Sequence, residues 1–187
     1  MTAGHCGGVG TELFTFKKDA TSLRKIGPVH SRDNGDSGPG EADDGDSAIV
    51  RVLNNAYHQA RAWVFVTTSN HTTPDTEYPI WYRNADSMTW VCRSGGRSLT
   101  TCGPIVDQSV CYTDDNTGIR YCGMVKVELD VGFGTCARLG DSGGPVFARH
   151  RAYGIATGAI ISNCILLFEP IARAQDNRRV DVSIDQG

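Results

Sequence analysis

Residues 140–145 read Gly-Asp-Ser-Gly-Gly-Pro, and no other stretch restricts the fold as tightly. A serine between glycines can occupy a sharp, unhindered turn on which neighbouring backbone N–H groups converge. Converging N–H groups stabilise the oxyanion of a tetrahedral intermediate, by about 3–4 kcal/mol per donor. A serine hydroxyl is a weak nucleophile alone, so it needs a histidine base, and the histidine needs an orienting carboxylate. The chain offers His5 in Thr-Ala-Gly-His-Cys and Asp46 directly ahead of the apolar run Ser-Ala-Ile-Val. Asp43 and Asp44 share the acidic stretch with Asp46, but neither directly precedes that run. A working trio of His5, Asp46 and Ser142 therefore demands a fold that joins the two ends of the chain.

The intervening sequence reads as strands. Short apolar runs at 47–53, 62–68, 78–84, 88–94, 123–131, 144–150, 152–161 and 165–171 are separated by turn residues. The 22 glycines in 187 residues suit turns and disfavour long helices. Helical periodicity is missing until Glu-Pro-Ile-Ala-Arg-Ala-Gln-Asp-Asn at 169–177. An all-β chain of two packed barrels or sheets is expected. The acidic, Gly/Pro-rich segment 31–46 is expected to be an exposed loop; it lacks the ligand alternation of a calcium-binding loop. The polar stretch 67–77 is the expected linker, giving an N-terminal unit at 1–76 and a C-terminal unit at 77–187.

Seven cysteines are many for this length, and no Cys-x-x-Cys pair suggests a metal or dithiol site. Disulfides in an oxidising compartment fit better, with the odd number leaving one cysteine unpaired within the chain. The formal charge of −3 gives no basic footprint for nucleic acid or an anionic membrane. No apolar stretch approaches the ~20 residues needed to span a bilayer. No leader pattern of charged then apolar residues begins the chain, so an export signal is expected upstream of Met1, which then reads as an internal methionine.

Taken together, Thr-Ala-Gly-His-Cys, Asp-Ser-Ala-Ile-Val and Gly-Asp-Ser-Gly-Gly-Pro resemble the three triad blocks of the chymotrypsin-like serine proteases, in the order His, Asp, Ser. The resemblance is strongest to the bacterial secreted branch that includes streptogrisins and α-lytic protease. Residues 90–103 resemble that branch's disulfide-closed loop, with the same ten-residue step from Cys92 to Cys102. Residues 135–147 resemble its nucleophile block, and 168–182 its closing strand and single helical turn. The likeness covers nearly the whole chain, with extra sequence around 104–122.

This resemblance implies two antiparallel six-stranded β-barrels with the active site in the cleft between them, the N-terminal barrel being incomplete. It implies a secreted serine endopeptidase acting through an acyl-enzyme, without metal or cofactor. The alternative is a truncated or degenerate homologue that keeps the motifs without activity. Ser142 would be the nucleophile, His5 the base and then acid, and Asp46 the orienting carboxylate. The N–H groups of Gly140 and Ser142 would form the oxyanion hole. Thr157, Gly158 and Ala159 would hold the substrate backbone as an added strand, with threonine standing where the family often has serine. Ala137, Arg138 and Leu139 would wall the pocket with residues 157–160. With no aspartate at the usual pocket floor, a small or medium apolar side chain is the expected fit.

Arg93 would pair with Asp141 in a buried ion pair that shapes the oxyanion hole. The implied disulfides are Cys92–Cys102, Cys136–Cys164 and Cys111–Cys122, the last closing an inserted hairpin. Cys6 would be the unpaired residue, because its family partner lies upstream of the histidine. The expected partners are protein or peptide substrates, with a pro-segment or a protein inhibitor, and the expected state is a monomer. His30, His58, His71 and His150 lack comparable contexts and are expected to be solvated or satisfied locally. The Asn70 sequon is expected to carry no glycan.

Overall fold

Runs of valine, isoleucine and aromatic residues between turn residues pair as strands, because such side chains pack well on a pleated surface. The computed structural model describes residues 1–16, 23–32, 45–53, 61–66, 76–83, 89–115, 118–181 and 184. Its strands, in chain order, are β1 (Glu12–Phe16), β2 (Leu23–Arg32), β3 (Ala48–Val50), β4 (Trp63–Val66), β5 (Thr76–Pro79) and β6 (Tyr82–Arg83). They continue with β7 (Trp90–Gly95), β8 (Leu99–Thr113), β9 (Arg120–Glu128), β10 (Pro145–Ala148), β11 (Arg151–Ile160) and β12 (Ile165–Pro170), followed by helix α1 (Ile171–Arg178). The fold is all-β.

In the C-terminal half the antiparallel pairings run β7–β8–β9–β12–β11–β10 and return to β7, because β10 pairs with both β11 and β7. Six strands thus form a ring, and a ring leaves no open sheet edge. Its interior is filled by Val91, Val127, Val146, Leu166, Phe168 and their buried neighbours. Each such side chain, fully removed from water, contributes about 1.5–3 kcal/mol. Strand β6 runs parallel to β11 outside the ring.

The described N-terminal strands form an open sheet, β1–β2–β3, and a separate hairpin, β4–β5. The boundary expected at 76/77 falls inside β5, and most of the expected linker, 67–75, lies outside the described residues. The hairpin packs Val64 and Ile80 on Phe147 of β10. Segment 31–46 is not a loop at its ends. Ser31 and Arg32 complete β2, while Gly45 and Asp46 are buried; residues 33–44 lie outside the described residues.

Helix α1 is longer than the expected single turn. It begins directly after Pro170, spans eight residues and stops at Arg179, whose φ of 51° takes the chain out of the helix. The extension follows from burial, since Ile171 and Ala174 pack with Ile155 of β11 and with Ala3. The same cluster holds Cys6. The segment carrying His5 is therefore pinned to the outside of the C-terminal ring.

Candidate active site

His5 lies in a short helical turn, Gly4–Cys6, beside the buried Asp46. Its backbone N–H donates to Asp46 Oδ1 at 2.7 Å, and its ring Nδ1 lies 2.7 Å from Asp46 Oδ2. Two contacts to one carboxyl group fix both the ring's position and its tautomer: Nδ1–H faces Asp46, leaving Nε2 as the acceptor. Burial alone would lower the His5 pKa. The hydrogen bond and charge of Asp46, joined by the charge of Asp114, outweigh it and leave His5 above its ordinary value.

Ser142 sits on a turn shaped by glycines. Gly140 and Gly143 have φ of 96° and 83°, in the left-handed region that favours glycine. The Asp141 amide donates to Arg138 O and the Gly143 amide to Ala156 O, which ties the turn to β11. Among the described residues, no backbone acceptor takes the amides of Gly140 or Ser142. The Ser142 hydroxyl donates to Thr157 O at 3.3 Å, and no hydrogen bond joins it to the His5 ring. Cys6 is a free thiol, half-buried, with Sγ 3.8 Å from Ser142 O.

Asp141, which also borders the cavity, has its carboxylate held from several sides. Its carboxylate accepts the amides of Arg97, Ser98 and Arg138 and the Ser98 hydroxyl. Arg93 Nη1 lies 3.2 Å from its Oδ2, with side-chain exposures of 0% and 3%. Arg93 also donates to the carbonyls of Leu99 and Thr135. Burial would raise the Asp141 pKa, but the Ser98 hydroxyl, the Arg138 and Arg97 amides and the Arg93 charge hold it below its ordinary value. Burial pushes Arg93 down, against the attraction of Asp141. Gly95 makes the pair possible, because a Cβ there would lie 2.5 Å from both Arg93 Nη1 and Asp141 Cγ.

His5 and Ser142 line one cavity of about 350 Å³. Its walls include Ala137, Arg138 and Leu139 on one chain segment and Thr157, Gly158 and Ala159 on another. Tyr112, Asp114, Asp115 and Tyr121 from the β8–β9 hairpin complete it, an addition that the sequence reading did not name. Three disulfides are present: Cys92–Cys102 joins facing residues of β7 and β8, Cys111–Cys122 clamps the hairpin, and Cys136–Cys164 braces the segment leading to Ala137. Among the described residues, no group of three or more His, Cys, Asp or Glu side chains gathers as metal ligands.

The other histidines fall elsewhere. His30 is exposed on β2. The His150 ring stacks between Tyr78 and Trp81, with Nδ1 2.8 Å from Pro79 O. His58, His71 and Asn70 lie outside the described residues. Glu169 is the site residue that sequence reasoning missed: fully buried on β12, its Oε2 accepts the Asp46 amide at 2.8 Å.

A closed six-stranded ring, a second group of strands bearing His and Asp, and a serine turn facing them across a cavity define the chymotrypsin-like fold. Solved structures place the chain there too. It is similar to the chymotrypsin of Cellulomonas bogoriensis, at 24% identity and a TM-score of 0.67 over 98% of this chain and 85% of that one. It is also similar to protease A of Thermobifida fusca (22%, TM-score 0.66, 98% and 83%) and to the Nocardiopsis protease NAPase (20%, TM-score 0.65, 94% and 80%). The chain thus has the fold of the bacterial chymotrypsin-like proteases of the streptogrisin and α-lytic type. No protein-family model and no curated protein sequence matches it.

Proposed function

We propose that this chain is a secreted serine endopeptidase. The observation that carries the reading is the pairing of His5 Nδ1 with Asp46 at 2.7 Å beside a cavity that Ser142 also lines. His5 Nε2 takes the Ser142 proton as Oγ attacks the peptide carbonyl, and the amides of Gly140 and Ser142 receive the developing oxyanion. His5 then protonates the leaving amine. In the second half it activates the water that releases the acyl group. Residues 1–76 supply the base and residues 77–187 the nucleophile and pocket. Thr157–Ala159 carries the substrate backbone as an added strand. The small side chains Ala137, Ala156 and Ala159 and the apolar Leu166 favour a small or medium apolar residue before the scissile bond. The three disulfides support an oxidising, extracellular setting.

The non-catalytic reading rests on one observation, the Ser142 hydroxyl bonded to Thr157 O rather than to His5. A fluorophosphonate probe decides between them. Labelling that Ser142→Ala abolishes supports the endopeptidase; folded protein that never labels supports the non-catalytic homologue.

A further inference from the structure

Glu169 is a carboxylic acid with no exposed surface, placed between the two halves of the molecule. On β12 the neighbouring Leu166 and Phe168 point into the ring core. Side chains alternate along a strand, so Glu169 projects from the opposite face, towards the segment that bears Asp46. Its Oε2 accepts the Asp46 amide across 123 positions of sequence. Gly45 lies against the same carboxyl group, and a Cβ at that position would lie 2.7 Å from Glu169 Cδ. Only a residue without a side chain lets the acid close over this backbone.

We propose that Glu169 is a positioning residue for the His5–Asp46 pair, an inference that rests on the endopeptidase reading above. Asp46 grips His5 through both carboxylate oxygens, so the placement of the Asp46 main chain becomes the placement of the imidazole. Glu169 fixes that main chain to β12, in the same ring that carries Ser142 and its turn. The nucleophile and its base come from segments far apart in sequence; the packing of Ala3 and Cys6 on β11 and α1 holds the His5 segment to the ring, and the Glu169 hydrogen bond ties the Asp46 segment to it. Misplacing a catalytic group by about 1 Å can cost on the order of 100-fold in rate. What the position demands is an acceptor of this shape, and a neutral amide supplies one.

The test uses the full chain and three variants: Glu169→Gln, Glu169→Met and Gly45→Ala, the last displacing the carboxyl group from the Asp46 amide. Kinetics on a peptide substrate are read beside the NMR resonance of the His5 Nδ1 proton, which reports the His5–Asp46 bond whether or not the protein turns over substrate. Glu169→Met and Gly45→Ala are expected to lose about 100-fold in kcat with little change in KM, and to broaden or lose that resonance. Glu169→Gln is expected to restore both to near the parent values. A parent-like kcat and resonance in Glu169→Met overturns the proposal, as does a Glu169→Gln variant as impaired as Glu169→Met. If the parent never turns over peptide or labels at Ser142, the endopeptidase reading fails, while the resonance still decides whether Glu169 orders the pair.

Discussion

Arg93 Nη1 lies 3.2 Å from Asp141 Oδ2, and the guanidinium reaches its partner with no exposed surface. The two residues come from β7 and from the turn that carries Ser142, 48 positions apart, so the pair fastens the Ser142 turn to the ring. Truncating Arg93 leaves Asp141 buried with its countercharge gone. Removing one partner of a buried pair costs about 3–5 kcal/mol. Arg93→Ala is expected to lose that much in denaturant unfolding, and its surviving folded fraction to turn over substrate poorly because the Gly140–Ser142 amides lose their alignment. Turnover near that of the parent in Arg93→Ala would remove the pair from the mechanism.

His5 is held above its ordinary pKa of 6.5 by Asp46 and, more weakly, by Asp114, despite its burial. Only the neutral imidazole can accept the Ser142 proton, so the acid limb of kcat/KM is expected above pH 6.5. The sign for stability is the reverse. A raised pKa stabilises the fold fully below the unfolded-state value, and that contribution fades as pH rises through the folded value. Asp114→Asn removes a negative charge facing the imidazole and should move the acid limb to lower pH. Asp114 is partly exposed, so added salt should shrink the difference between the two profiles. Superimposable profiles at low salt would show that Asp114 exerts no field on His5.

His5, Asp46 and Ser142 stood out because each lies in a contiguous block whose residue types the chemistry restricts, whereas the pairing of Arg93 with Asp141 came only with the family resemblance of residues 90–103 and 135–147. Glu169 did not stand out, since its partner is a backbone amide 123 positions away and no local pattern marks a carboxylate as an acceptor for it. Strand β8 was hidden for a different reason. Gly103, Pro104, Asp107 and Gln108 interrupt its alternation, and its register with β9 shifts three times, so fifteen residues of strand show no steady period. Gly27 and Pro28 mask β2 in the same way. Gly95 could be read as part of a turn, but only the packed structure shows the ion pair filling the space a side chain would need.

The Cys111–Cys122 bridge closes a loop of sequence separation 11 at the hairpin that supplies Tyr112 and Tyr121 to the cavity. Restricting a loop of that size in the unfolded chain is worth about 2–3 kcal/mol. Replacing both cysteines by serine is expected to lower Tm by about 5–10 °C. The two tyrosine rings stack 6.2 Å apart inside the clamped region, so loosening it should raise KM more than it lowers kcat. A doubly substituted protein with the parent Tm and KM would show that strand pairing alone holds the hairpin.

Gly140 is the residue where backbone geometry and chemistry meet. Its φ of 96° lies where L side chains are strained, and a Cβ would lie 2.9 Å from Arg97 Cγ. Strain of this kind costs about 1–3 kcal/mol, and its relief would rotate the peptide unit whose amide is the proposed oxyanion donor. Gly140→Ala should therefore leave a folded protein of slightly lower stability. Its kcat should fall by about 100- to 1000-fold, the cost of losing one oxyanion donor. KM should change little, because the walls formed by Thr157–Ala159 are untouched. An unchanged kcat, measured by active-site titration followed by steady-state hydrolysis, would mean that the Gly140 amide takes no part in stabilising the transition state.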